Sequence, residues 1–252
     1  MERRTGDTIE IDGAYQYEAL HNGRAPQRFW HWAKYDEALR LLAPRRDEHI
    51  LDAGCGSGVL SDGIAASGAK VLGVDGNKSA IAFARSRYSR PGLAFRDGLI
   101  DELPLEPASF DGIVLLEVIE HVTVAQAQQV LSTFFDLLRP GGRLVLSTPN
   151  RRSAWPLIEW TMDRLRLAPT MDEEQHDHLY DRHELGSIGR AAGFEIGTQT
   201  TVNTFAPWLS WVSQSLARRL HRWEVRNLRQ VGSLLLFRFE RPRVEALADS
   251  RG

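Results

Sequence analysis

Between residues 49 and 148 short apolar segments alternate with helical ones, and this alternation limits the fold more than any other feature. His49–Ala53, Lys70–Asp75, Leu93–Asp97, Phe110–Val118 and Arg143–Thr148 read as strands. Val59–Ser67, Lys78–Tyr88 and Val124–Leu138 read as helices, closed by Gly68, Pro91-Gly92 and Pro140-Gly141-Gly142. Phe110–Val118 is nearly continuously apolar, as a strand buried on both faces must be. Strand–helix repeats of this length specify an α/β fold, a parallel sheet with helices on both faces. Residues 26–42 read as a preceding helix, with Phe29, Trp32, Ala33, Leu39 and Leu42 at helical spacing. Beyond Pro149 the pattern loosens. Ala154–Leu167 and Arg182–Ala192 read as helices, and Phe194–Thr204 and Ser233–Glu240 as strands, with a helix over Pro207–Leu228 between them.

The length of 252 residues suits one domain. Its expected parts are a flexible stretch at 1–13, an N-terminal helix at 26–42 and a ligand-binding core at 48–150. A helical lid and acceptor region at 151–230 (including strand 194–204), a last strand at 231–241 and a tail at 242–252 follow. Lys and Arg total 31 against 33 Asp and Glu, a net charge of −2, so no overall attraction to nucleic acid is expected. The single cysteine, Cys55, forms no intrachain disulfide and fits a reducing cytoplasm. The first residues lack the apolar core of a signal peptide, and no apolar run reaches the roughly 18 residues of a membrane span.

The loop after the first strand reads Ile50-Leu-Asp-Ala-Gly-Cys-Gly-Ser-Gly58. Three glycines permit tight turns and close approach of a ligand, and the helix that follows offers free N–H groups. A dinucleotide site would read G-x-G-x-x-G. Here the spacing is G-x-G-x-G, and Asp52 leads into the loop. A carboxylate there disfavours a pyrophosphate and favours a cationic amino group. Asp75 ends the second strand, where a carboxylate can accept both hydroxyls of a ribose. Asp97 ends the third, within reach of an adenine amino group. Three acids at three successive strand ends converge on the crevice where open α/β sheets bind ligands.

These residues resemble those of class I S-adenosylmethionine (SAM)-dependent methyltransferases. Leu51-Asp-Ala-Gly-Cys-Gly-Ser-Gly58 is similar to that family's first motif, Val74-Asp75 to its second and Leu138-Arg-Pro-Gly-Gly-Arg-Leu144 to a later one. The resemblance implies a Rossmann-like, seven-stranded, mostly parallel sheet with two closing antiparallel strands, an N-terminal helix and a helical lid. It implies SAM as cofactor, with Asp52 and Gly54 facing its methionine part, Asp75 its ribose and Asp97 its adenine. Leu115-Leu-Glu-Val-Ile-Glu-His-Val122, Ser147-Thr-Pro-Asn-Arg151 and His176-Asp-His178 are further similar to the ubiquinone-biosynthesis O-methyltransferases. That likeness places Lys34 at the cofactor carboxylate and Leu116 along the cofactor. The full expected cofactor set is Lys34, Asp52, Gly54, Cys55, Gly56, Asp75, Gly76, Asp97, Gly98, Leu116 and Glu117.

Glu117, Glu120 and His121 share a face if the chain turns helical there. Two carboxylates and an imidazole can hold a divalent cation, which would lower a phenol's pKa; the likeness to the quinone enzymes implies Mg²⁺ or Zn²⁺. In the competing reading Glu117 lines the cofactor pocket and the other two form local hydrogen bonds. Methyl transfer asks the protein mainly to align nucleophile, methyl carbon and sulfur and to exclude water. A hydroxyl nucleophile needs a base as well, and His121, His176 and His178 are the candidates.

All seven tryptophans (Trp30, Trp32, Trp155, Trp160, Trp208, Trp211 and Trp223) lie outside residues 50–150. Phe205, Trp208, Leu209, Val212, Leu216, Leu220 and Trp223 fall on one side of a helix over 207–228, with Arg218, Arg222 and Arg229 on another. The 154–167 helix has the same character. Two readings stand: a lid over an apolar acceptor, or helices lying on an anionic membrane. The expected function is O-methylation of a small apolar, aromatic or lipid-like hydroxylated acceptor, a quinone precursor or natural product. N- or C-methylation, or SAM binding without transfer, are the alternatives. A nucleic-acid substrate is not expected, because Leu116-Glu-Val-Ile stands where many such enzymes carry an Asn-Pro-Pro-Tyr motif.

Overall fold

The computed structural model describes residues 12–153 and 178–243. Seven strands among them form one sheet: β1 (His49–Ala53), β2 (Lys70–Asp75), β3 (Leu93–Asp97), β4 (Phe110–Leu116), β5 (Leu138–Pro149), β6 (Glu195–Val202) and β7 (Leu234–Glu240). Their order is β3-β2-β1-β4-β5-β7-β6. Strands β1 to β5 are parallel. β7 is inserted between β5 and β6 and runs antiparallel to both. The two late strands are thus antiparallel to each other, and β6 returns to the direction of β1–β5. The chain winds outward from β1 through β2 to β3, then restarts at β4 on the other side of β1. This reversal opens a crevice at the C-terminal ends of β1 and β4.

Period-two alternation assigns each strand residue to a face. Leu51, Ala53, Ile113, Leu115, Leu144 and Leu146 point to one side. They pack there against α5 (Val124–Leu137) and α6 (Arg182–Ala191) through Ala127, Leu131, Phe134, Leu185 and Ile188. Ile50, Val71, Val114, Val145 and Leu236 point to the other. They meet α2 (Ala25–Leu42), α3 (Val59–Ala65) and α8 (Gln214–Asn227). Local chemistry sets the helix starts. Asn77 caps α4 (Lys78–Arg87), Asp181 caps α6, and Thr123 with Gln126 forms a capping box for α5.

Four expectations change. A short helix α1 (Tyr15–His21) precedes α2. Leu138 begins β5 instead of ending α5. β4 stops at Leu116, because Glu117 adopts a left-handed φ of 53°. The helix expected over Pro207–Leu228 is broken into α7 (Ala206–Leu209) and α8. Ser210 returns its hydroxyl to the Pro207 carbonyl at 2.5 Å, and Ser213 caps α8 through Leu216 N. The 154–167 helix, His176 and the chain ends lie outside the described residues.

Candidate active site

The glycine-rich loop stands at the crevice. Gly54, Gly56 and Gly58 have φ of 70°, 49° and 79°. A Cβ at Gly54 would lie 2.5 Å from the Val118 side chain, and one at Gly58 2.7 Å from Phe95. Asp75 holds the loop: its carboxylate accepts from Gly56 N at 2.7 Å and from Asn77 N at 2.8 Å. Gly76 follows it in the turn to α4. Asp97 is the register partner of Asp75 and is largely open to solvent, with Arg85 at 3.4 Å. Gly98 donates to the Asp75 carbonyl at 3.1 Å. Asp52 is buried and turned toward α3, where Ser61 Oγ donates to it at 2.6 Å. Burial, with the Asp75 charge added, raises its pKa to about 7. The Cys55 thiol is pushed up by burial first and by Asp52 next.

Helix α2 supplies the opposing wall. Lys34 is buried and pairs with the Glu117 carboxylate beyond the end of β4. Leu116, one residue earlier, pairs with Ser147 of β5, and Glu117 N donates to the Ser147 carbonyl at 3.0 Å. Burial works against the Lys34 ammonium, but Glu117, Tyr35 and Tyr15 together outweigh it, and its pKa is raised. Lys34 Nζ lies 5.1 Å from the Tyr35 ring centre, and burial pushes that phenol to about 12. His31 is buried and its pKa is held well below the ordinary value by burial, then by Lys34. Its Nδ1 is unpartnered among the described residues.

Four residues of this wall escaped the sequence reading: Tyr15, Gln16, His31 and Tyr35. His31 and Tyr35 were findable, since both lie one helical turn from Lys34 or beside it. Gln16 of α1 reaches across the loop and accepts from Ser57 N at 2.7 Å. A Cβ at Gly56 would meet its Oε1 at 1.9 Å.

The three metal candidates do not assemble. Glu117 sits outside the single 3-10 turn Ile119–His121 and faces Lys34. Glu120 points into the interior and accepts from Thr148 Oγ1 at 3.0 Å. Burial, then the Glu117 charge, raises it to about 8, a carboxyl that keeps its proton near neutrality. His121 ends the turn, its N–H donating to the Val118 carbonyl at 3.1 Å. Among the described residues no three His, Cys, Asp or Glu side chains are grouped to hold a cation. Glu117, Glu120 and His121, as they are placed, therefore do not fit Mg²⁺ or Zn²⁺.

Of the histidines, His178 is brought to this corner. Its backbone N–H donates to the Glu120 carbonyl at 3.1 Å. Its Nε2 lies 2.6 Å from Glu184 Oε1, and its ring packs edge-on against Tyr180.

A glycine loop, an acid at the next strand end and a basic–acidic pair across the crevice agree with what comparison with known proteins finds. A methyltransferase domain model matches residues 27–199. The chain belongs to the methyltransferase domain family. A relative from Mycolicibacterium smegmatis, named a probable S-adenosylmethionine-dependent methyltransferase, is 33% identical over 69% of this chain and 62% of its own length. The chain therefore spans less than two thirds of that protein. A ubiquinone biosynthesis O-methyltransferase of Pseudomonas aeruginosa is 32% identical over 73% of this chain and 77% of its own. Among solved structures, phosphoethanolamine N-methyltransferase 2 of Haemonchus contortus, in complex with SAM, has a TM-score of 0.63 at 18% identity. It covers 94% of this chain and 59% of that one, and shares the family fold.

Proposed function

We propose that this family member is a SAM-dependent methyltransferase that methylates a hydroxyl on a small apolar, aromatic or lipid-like acceptor. The observation that carries the reading is the Lys34–Glu117 pair just past the end of β4, the strand beside β1, whose own end carries the Gly54–Gly58 loop tied by Asp75. The pair suits an amino acid end, which carries both charges, and Asp75 suits a ribose. The bound cofactor would supply an activated methyl group on its sulfonium. Lys34 would hold the carboxylate, Glu117 the amino group, Asp75 the ribose and Asp97 the adenine. Leu116 would flank the cofactor, Gly54, Cys55, Gly56, Gly76 and Gly98 would let the backbone come close, and Asp52 would brace the loop from behind through Ser61.

Two things support oxygen as the nucleophile: relatives near one-third identity named ubiquinone biosynthesis O-methyltransferase, and the His178–Glu184 pair. With Nε2–H donated to Glu184, the other ring nitrogen is the proton acceptor. His178 would take the hydroxyl proton, and Glu184 would orient the ring and stabilise the imidazolium. N-methylation is the second reading, favoured by the fold likeness to an enzyme of that name. Incubating the chain with methyl-labelled SAM and a panel of catechols, polyprenylated phenols and amines tests the choice. Label on a hydroxyl, lost in His178→Ala, is expected. Label on nitrogen alone, or transfer indifferent to His178, would overturn the O-methyl reading. We propose a cytoplasmic site of action; among the described residues no helix is long and apolar enough to cross a membrane.

A further inference from the structure

Among the described residues, the large apolar side chains open to solvent are, apart from Val231, gathered in one place. Phe205, Trp208, Trp211, Val212, Leu216 and Trp223 are all exposed, Val212 to 81%. They sit on α7, on the corner after it and on the outer side of α8. The inner side of α8 is accounted for: Ala217, His221, Glu224 and Val225 are buried. Glu224 takes the backbone N–H groups of Phe205 and Ala206 at 2.8 and 3.0 Å, fixing α7 to α8. Leu209 and Leu220 pack on Phe29 and Ala33 of α2. The outer stripe has no such cover among the described residues. It places Leu216 and Trp223 two turns apart, with Arg219 and Arg226 beside them at the same spacing. Arg218 and Arg222 are exposed as well, and the only acid of α8, Glu224, is buried. A cleft of about 410 Å³ on this face is lined by Gln214, Ser215, Arg218, Arg219 and Arg222.

We infer that α7 and α8 dock this protein on an anionic bilayer, with Trp211 and Val212 at the corner entering the interfacial zone and the arginines meeting phosphate headgroups. Tryptophan is amphipathic enough for that zone, and arginine pairs well with phosphate. Charge decides against a second copy as the occupant. A symmetric contact would bring together two copies of the same arginine-rich face, whose one acid on α8 is buried, and like charges across an interface are costly. The surface adjoins the helix that carries Lys34. Arg218 stacks over Trp32 of α2 at 4.8 Å, and α2 carries Lys34. A lipid-like acceptor would then be met at the membrane. That purpose rests on the function proposed above, but the docking itself does not.

Vesicle binding without cofactor or acceptor separates the two. The full chain is sedimented with vesicles of phosphatidylcholine alone and of phosphatidylcholine with phosphatidylglycerol in equal parts. Binding to the anionic vesicles only, weakened by salt, is expected. Arg219→Gln with Arg226→Gln lowers the partition coefficient on the order of 20-fold. Trp211→Ala with Trp223→Ala also lowers it, and brominated lipid quenches this variant less than the unmodified chain. Both variants should keep the melting temperature and SAM binding of the parent. No binding to anionic vesicles, or equal binding of parent and arginine variant, overturns the inference. So does a dimer of the parent that the tryptophan variant dissolves, or vesicle-independent capture by an acidic protein. Loss of folding in the tryptophan variant would mean that the chain covers this face itself, and would also count against it.

Discussion

Lys34 of α2 forms an ion pair with Glu117, a residue held at left-handed φ just past the end of β4. The pair links the helix preceding the sheet to the strand at its switch point, across 83 residues of sequence. A buried ammonium is tolerated only with its partner in place, so Glu117→Gln, which strands Lys34, should cost about 1–3 kcal/mol of stability. Lys34→Met removes the buried charge itself and leaves only the partly exposed Glu117, so it should cost less. It should also weaken SAM binding by about tenfold or more, since the cofactor carboxylate loses its cation. Chemical denaturation and calorimetric titration of the variants check both, and unchanged SAM affinity would remove Lys34 from the site.

Gly56 and Gln16 form a second pairing that substitution can probe. Gly56→Ala drives a methyl into the Gln16 amide and puts a side chain at a φ of 49°. It should lose about 1–3 kcal/mol. Gln16→Ala in the same chain removes the clash but not the backbone strain, so it should restore only part of the loss. Thermal melts of the two variants decide; full restoration would mean that the strain at position 56 is negligible.

The carboxyl of Glu120 sets a pH dependence. Its pKa in the fold is about 8, and in the unfolded chain about 4.3. A raised acid favours the fold fully below the unfolded value, and this stabilisation is lost as pH rises through about 8. Asp52, raised to about 7, acts with the same sign. The melting temperature should fall from pH 5 to pH 8.5, and Glu120→Gln should flatten part of that fall while keeping the Thr148 hydrogen bond. An unchanged slope in the variant would show that Glu120 ionises normally.

The division of Glu117, Glu120 and His121 among separate partners gives a prediction about metals. Dialysis against EDTA should leave SAM binding and methyl transfer unchanged, and added Mg²⁺ or Zn²⁺ should not raise them. Loss of activity on chelation, restored by one of these ions, would contradict the arrangement seen here.

The sheet was legible because parallel strands buried on both faces are mostly apolar, as Ile113 to Leu116 and Leu144 to Leu146 are. The loop was legible because G-x-G-x-G needs no tertiary context. What escaped depends on such context. α1 is seven residues long and is held by Gln16 on Ser57, a contact over 41 residues. The break between α7 and α8 depends on two serine hydroxyls that a helical wheel counts as neutral. The apolar stripe over 205–223 was read correctly as a stripe. Part of it, Leu209 and Leu220, packs on α2, while the rest faces out. The metal reading failed on one backbone angle, since a left-handed Glu117 cannot share a helical face with Glu120 and His121.

Calorimetric titration of the intact chain with SAM and its demethylated product, beside Asp75→Ala, tests the central claim most directly. Asp75 ties Gly56 and Asn77 and is the proposed partner of the ribose. The account predicts micromolar binding by the intact chain and at least about tenfold weaker binding by the variant. An intact, folded chain that binds neither compound would contradict it.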